Sequence, residues 1–396
     1  MSEAIRPAGV FDTRYEEDIA LNRTRGERAT TLGSFLLLMC LPLISAAGPL
    51  GLNWFPLHWI GTINHIAILT IAVQGLNLLI GYCGQISFGQ AAFMAVGGYT
   101  SALLGIHWGI PFWLALPLAA AFTGFIGILF GLPALRVKGF YLAMSTLAAQ
   151  FILIWFIHFP LEGLTNGSRA LTRIPPPTLG PTIREVQALP VVGPQNLQFV
   201  AQRGPITFSS AAEMYYIIVP LTVFLMLAAR NIRRTRTGRA FISIRDNDLA
   251  AELLGINVFY YKLQAFFLCS VYAGIAGALM AYHQNSLSIT SFMLDHSIIY
   301  LAMLVIGGAG FPLGPIFGVT IVQTLTIIII PAIAPGIGAF LRWLLPFVQS
   351  ANLSSALTLL LRGGILLAFL LFEPRGVAHR WEILKISWKL RPFSHE

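Results

Sequence analysis

The chain has 396 residues, of which 56% are hydrophobic and only 10% charged, and its mean hydropathy is +0.74. A soluble domain carries roughly 25% charged residues, so this composition excludes a set of soluble domains and points to one membrane domain of many spans. The net charge of +9 does not indicate a nucleic-acid partner, because the Lys and Arg residues sit in loops that flank apolar runs.

A bilayer-crossing helix needs about twenty mostly apolar residues. In chain order the apolar runs are 31–50, 61–81, 88–106, 111–132, 139–160, 214–230, 262–283, 296–308, 315–331 and 353–372. They predict an all-α, polytopic bundle of about ten spans over 31–372, between an N-terminal tail 1–30 and a C-terminal tail 373–396. The first run follows a charged leader and is too long for a secretory signal. The join at Gly81–Gly89 is tight and glycine-rich; it is either a plain turn or a re-entrant piece. The 296–308 run is short and ends in Gly307-Gly308-Ala309-Gly310-Phe311-Pro312-Leu313-Gly314, which predicts a broken or half-length helix.

An even span count with the N-terminus inside places 1–30, 82–87, 133–138, 231–261, 309–314 and 373–396 in the cytoplasm. Arg23, Arg25, Arg28, Arg136, Lys138, Arg230, Arg233, Arg234, Arg236, Arg375, Arg380, Lys385, Lys389 and Arg391 then obey the positive-inside rule. The exception is 161–213, which carries Arg169, Arg173, Arg184 and Arg203. It is long and rich in Pro and Gly, and reads as an irregular external cap. A second external stretch, 332–352, with Phe340, Trp343, Leu344 and Phe347, reads equally as an interfacial helix or as a packed loop.

No Asp or Glu lies within any of these runs. A carboxylate at a helix centre costs roughly 2.5–3.5 kcal/mol and is kept only for a reason, so its absence argues against proton coupling. His65 and His158 lie near span ends and read as interfacial; Arg362, in the last run, can snorkel, pair or line a path. The sequence has no HExxH, no GxSxG and no paired haem-type histidines. Cys40, Cys83 and Cys269 fit no metal or disulfide spacing and read as small core residues. No metal site and no catalytic residue is expected.

The segment 231–261 holds a short helix. Asp246 or Asn247 can cap it, Asp248 and Glu252 suit its positive end, and Gly255 stops it. Leu249, Leu253 and Leu254 give it an apolar face, while Ala250 and Ala251 permit close approach. Arg239 and Arg245 precede it. An ordinary positively charged loop does not require such a helix; a docking surface that transmits a push does. Elsewhere, Gln74, Asn77, Gln85, Ser87 and Gln90 are the polar groups of an otherwise apolar, glycine-rich stretch. They either line a translocation path or hydrogen-bond helix to helix.

The run from Gly75 to Tyr99, with Gly81-Tyr82-Cys83-Gly84-Gln85-Ile86-Ser87-Phe88-Gly89-Gln90, resembles the signature of branched-chain amino-acid ABC transporter permeases of the LivM type. Gly131 to Ala143, Arg245 to Gly255, and Gly307 to Gly318 resemble further blocks of that family in the same order, so the resemblance covers roughly 60–380. It implies a type II ABC importer fold in the bacterial inner membrane, with both termini cytoplasmic. It also implies a second, LivH-type permease, two separate ABC ATPases and a periplasmic solute-binding protein. The coupling residues would be Arg239, Arg245, Asp246, Asp248, Ala250, Ala251, Glu252 and Gly255. Many importers carry Glu-Ala-Ala-x3-Gly here; this chain has Leu249 in place of the Glu, which removes any role borrowed from that Glu. The 161–213 segment is long for the family. No Walker A motif is present, so the chain itself binds no cofactor and ATP would be used by partner subunits. The substrates implied are branched-chain or related small amino acids, with urea, short amides or aromatic acids as alternatives. A self-sufficient facilitator is the other function class open at this point.

Overall fold

The computed structural model describes residues 57–332 apart from breaks at 138, 168, 173, 180–182, 188–198, 204–205 and 209, together with scattered positions at 33–42 and 360–376 and a helix ending at 389. The first and last apolar runs, Arg362, the 332–352 stretch and the tail 1–30 lie outside the described residues or are only touched by them.

The helices, in order, are α1 (Leu57–Leu76, continued by a π-turn at Asn77–Tyr82), α2 (Gln90–Trp108), α3 (Phe112–Ala134), α4 (Phe140–His158), the single turn α5 (Glu162–Thr165) and α6 (Ala211–Arg234). There follow α7 (Arg236–Asp246), α8 (Asp248–Leu253), α9 (Val258–Gln284), α10 (Leu294–Gly307), α11 (Gly314–Thr324) and α12 (Val377–Lys389). His65 lies within α1 and His158 closes α4.

Six helices among the described residues are long and apolar enough to cross a membrane: Trp59–Tyr82, Phe112–Ala134, Phe140–His158, Ala211–Arg234, Val258–Gln284 and Gly314–Ala332. The runs 31–50 and 353–372 lie almost wholly outside the described residues, so the expected count of about ten is not confirmed. The run at 88–106 forms α2, which is largely buried in the bundle and, with Gln90 and His107 at its ends and several Gly, Ser and Thr residues between, is not among the six. The 296–308 run forms α10, whose 14 residues reach only about 21 Å at 1.5 Å per residue, short of a core about 30 Å thick. It is a half-length helix. It turns at Gly308–Leu313 and packs back on α11 through Gly307, Gly314 and Gly318, where any β-carbon would overlap facing backbone.

The helix α9 is the hub, packing against α1, α2 and α3. Two neighbours approach it through glycine. A β-carbon on Gly97 would overlap Gly274, and one on Gly277 would overlap the Met94 carbonyl. On α3, Gly124 faces Phe267 and Val271, and Gly127 faces Ser270. Small residues are how apolar helices pack closely where lipid removes the hydrophobic driving force. The outer face of α3 carries Trp113, Leu118, Phe122, Phe125 and Leu129, all exposed.

The segment 161–213 is not simply irregular, and the molecule is not purely α-helical. Three short antiparallel ladders occur: β1 (Leu171–Thr172) with β6 (Ser286–Leu287), β2 (Thr178–Leu179) with β5 (Ile206–Thr207), and β3 (Ile183–Gln187) with β4 (Phe199–Arg203). The first joins this segment to the chain leaving α9, pairing Leu171 with Leu287. Pro175 rests near Gly105 at the end of α2, and the Trp113 indole donates to the Thr178 carbonyl at 3.1 Å. The segment thus covers the end of the bundle where α9 finishes. The opposite end, where α9 begins, holds α7 and α8.

Cys83 and Cys269 are buried, as expected of small core residues; Cys40 is exposed, which corrects that reading for it.

Candidate functional site: a helix break and the turns that meet it

The chain between α1 and α2 is a re-entrant piece rather than a plain turn. The last turn of α1 widens into a π-turn, and Gly84 then takes φ +73°, a left-handed conformation that glycine adopts without strain. The next residues form no regular structure, and α2 starts only at Gln90. Two registers give the depth of that start. The Gln90 side-chain amide donates to the carbonyl of Ala72 at 2.6 Å, nine residues before Gly81, so that side chain reaches a level about 13 Å back along α1. The same Gln90 accepts from the Cys269 thiol at 3.1 Å, eleven residues into α9, about 16 Å from its first turn.

A helix N-terminus at that depth leaves orphan N–H groups with no water to satisfy them. Side chains of neighbouring helices do so. The Ala91 N–H donates to Ser297 Oγ and the Ala92 N–H to Gln150 Oε1, both at 2.9 Å. Ser297 Oγ also donates to Gln150 Oε1 at 3.2 Å, and Gln150 Nε2 donates to the Phe292 carbonyl at 2.8 Å. The Phe88 N–H donates to Thr146 Oγ1 at 3.1 Å. Sequence reading missed Gln150 and Ser297. Each was a lone polar residue within or beside an apolar run, and only the register of α2 reveals what it caps.

The five polar residues singled out in the sequence have distinct places. Asn77 clasps the α10–α11 turn: its Oδ1 accepts from the Gly310 N–H at 2.8 Å and its Nδ2 donates to the Phe311 carbonyl at 3.0 Å. Gln90 ties α1 to α9. Ser87 is buried and its Oγ accepts from the Gly89 N–H at 3.3 Å. Gln85 is half-buried, its amide 3.4 Å from the Cys83 carbonyl. Gln74 is fully buried, yet neither amide atom has a partner. Asn77 and Gln90 thus make helix-to-helix bonds, and Gln74 is the member with unspent hydrogen-bonding capacity.

The 231–261 segment contains two helices where one was expected. Thr235 begins α7 by accepting from the Gly238 N–H, and Phe241 and Ile244 bury its inner face. Asn247 then caps α8, its Oδ1 accepting from the N–H groups of Leu249 (3.0 Å) and Ala250 (3.2 Å). Gly255, at φ +80°, ends it. Ala251 is buried inward, whereas Leu249, Leu253 and Leu254 face out, Leu253 with 89% exposure. Asp248 pairs with Lys262 of α9 at 2.5 Å, with Lys262 almost wholly buried. A buried ammonium without that carboxylate would be costly. Arg239, Asp246, Ala250, Glu252 and Gly255 are at the surface. Arg245 is also exposed, yet its guanidinium donates to the Gly81 carbonyl at 2.5 Å. Among the described residues there is no cluster able to hold a metal ion.

The family model described as branched-chain amino acid transport system / permease component matches residues 59–370. The chain is 32% identical to the high-affinity branched-chain amino acid transport system permease protein LivM of Salmonella typhimurium and 31% identical to its namesake in Escherichia coli. Each of those matches covers 71% of this chain and 65% of the relative's own length. A probable branched-chain amino acid transport permease protein LivH of Methanocaldococcus jannaschii is 24% identical over 65% of this chain and 76% of its own length. No solved structure matches the chain. With the family model covering most of the chain, this protein belongs to the branched-chain amino acid transport system permease family.

Proposed function

We propose that this chain is a permease subunit of an ATP-driven importer, forming part of the path for branched-chain or related small amino acids. The observation that carries this reading is the leucine ridge of α8, exposed to solvent yet fixed by the Asn247 cap and the Asp248–Lys262 pair. An apolar ridge held rigidly on a polar end of the bundle suits a groove in a soluble subunit. One of two ABC ATPases would dock there, the other on the second permease, so the α7–α8 end is cytoplasmic and the segment 161–213 faces the periplasm. A second, LivH-type permease would complete the pore, and a periplasmic binding protein would deliver substrate and make most of the choice among amino acids, urea, short amides or aromatic acids. This chain is then a transport subunit of the inner membrane, not an enzyme. Gln74, buried with both amide atoms unpaired, is the strongest candidate of the five for the path, since an amide can meet either end of an amino acid.

Reconstitution tests this. In proteoliposomes holding both permeases and the ATPases, with binding protein supplied, labelled leucine, isoleucine or valine accumulates only with ATP. Replacing Leu253 and Leu254 together with Ser releases the ATPases in co-purification and leaves the melting temperature of this chain unchanged, because both side chains are exposed. Substrate flux through this chain alone without ATP would establish a self-sufficient facilitator instead.

A further inference from the structure

Three parts of the chain that lie far apart in sequence meet at one point. The π-turn ending α1 leaves the Gly81 carbonyl without a helical partner, while the neighbouring carbonyls of Leu79 and Ile80 accept from Gln85 and Gly84. The α10–α11 turn lies against it, so closely that a β-carbon on Gly81 would overlap both Asn77 Oδ1 and the Gly310 N. The third part is Arg245, next to last in α7. Its guanidinium donates to the Gly81 carbonyl, and its Nη1 would lie 2.8 Å from a β-carbon built on Gly310. Its aliphatic stem packs on Gly84, the first residue of the re-entrant piece. Gly310 keeps this approach open and sits at φ +89°. Asn77 completes the cluster by holding Gly310 and Phe311 from inside.

We propose that Arg245 is a positioning residue, a tie through which displacement of the α7–α8 segment is passed to the break between α1 and α2 and to the α10–α11 turn. A charged donor on a backbone carbonyl is short and strong, and a planar guanidinium resting between two glycine-lined backbones moves with both. Lys262 and Asp248 anchor α8 to α9, a continuous helix. Arg245 ties the same segment to the two places where the bundle's helices are interrupted. Discontinuous helices are where many transporters build their substrate and ion sites. The tie rests on the proposed importer function, since it needs a driven α7–α8 segment.

The test uses the full complex of both permeases, ATPases and binding protein in proteoliposomes, and reads substrate imported per ATP hydrolysed. Arg245→Ala keeps ATP hydrolysis within about twofold of wild type and lowers the import ratio at least about tenfold, the separation expected when docking survives and transmission does not. Arg245→Lys, which keeps the charge but not the planar fork, lowers the ratio about two- to threefold. An unchanged ratio in Arg245→Ala overturns the tie and leaves Arg245 as a cap on a helix end. If Arg245→Ala does not assemble, Arg245→Lys decides: a lowered ratio supports the tie, an unchanged ratio overturns it. A wild-type complex that imports nothing with ATP is a failure of the proposed function, and is distinguished from failure of the tie by the wild-type arm.

Discussion

The helices α9 and α3 look alike in sequence and differ in kind. Both are strongly apolar, yet 16 of the 27 residues of α9 are buried within the chain and only 9 of the 23 of α3. Hydropathy records that a segment can leave water. It does not record what replaces the water. In α9 small residues such as Ala273, Gly274, Gly277 and Ala281 recur all along the helix and are buried. In α3 they form one stripe, Ala120, Gly124, Gly127 and Gly131, with large apolar residues on the far side. The placement of small residues separates a helix that meets protein on every side from one that meets protein on one side.

That contrast can be broken at its strongest point. Gly277→Leu drives a side chain into the Met94 carbonyl of α2. Overpacking against backbone costs about 1–3 kcal/mol or more, so this variant loses most of its folded protein, read as membrane abundance and melting temperature; near-normal abundance would show that α2 and α9 are less tightly joined than described. A middle-sized effect sharpens the account of α2. Gln150→Ala strands the Ala92 N–H and the Phe292 carbonyl in the interior. A buried unsatisfied group costs about 1–3 kcal/mol, and the melting temperature falls accordingly; an unchanged melting temperature would show that the start of α2 does not depend on Gln150. The smallest effect belongs to the outer face of α3. Phe125→Ala removes an exposed ring that lipid chains can replace, and moves stability by under about 1 kcal/mol. A loss as large as that of Gly277→Leu would mean that another chain, not lipid, covers Phe125.

The parts legible in the sequence were those set by near neighbours. Asn247 and Gly255 bracket α8 through local chemistry, and both do so in the structure. Gly307 to Gly314 signalled the interrupted helix that α10 and its turn form. What stayed hidden depends on register between distant segments. The join at Gly81–Gly89 read as a turn or a re-entrant piece, because its depth is fixed only by where Gln90 meets Ala72 and Cys269. Arg245 read as a coupling residue of the docking segment, and nothing near it in sequence pointed to its acceptor, 164 positions away. Lys262 read as the edge of an apolar run until Asp248 was found beside it. The ladder of β1 with β6 joins residues more than a hundred positions apart, and two-residue strands have no pattern to recognise.

The length of α9 carries a consequence of its own. Its 27 residues extend about 40 Å, beyond a hydrocarbon core about 30 Å thick. One unbroken rod is therefore long enough to cross such a core with residues to spare or with tilt, and it has the Lys262–Asp248 pair near one tip and the β1–β6 ladder beyond the other. A lever of this kind has no hinge in which a load can be lost. Any ligand whose binding favours one setting of the rod at one tip alters affinity at the other by the same factor, and the reverse holds equally.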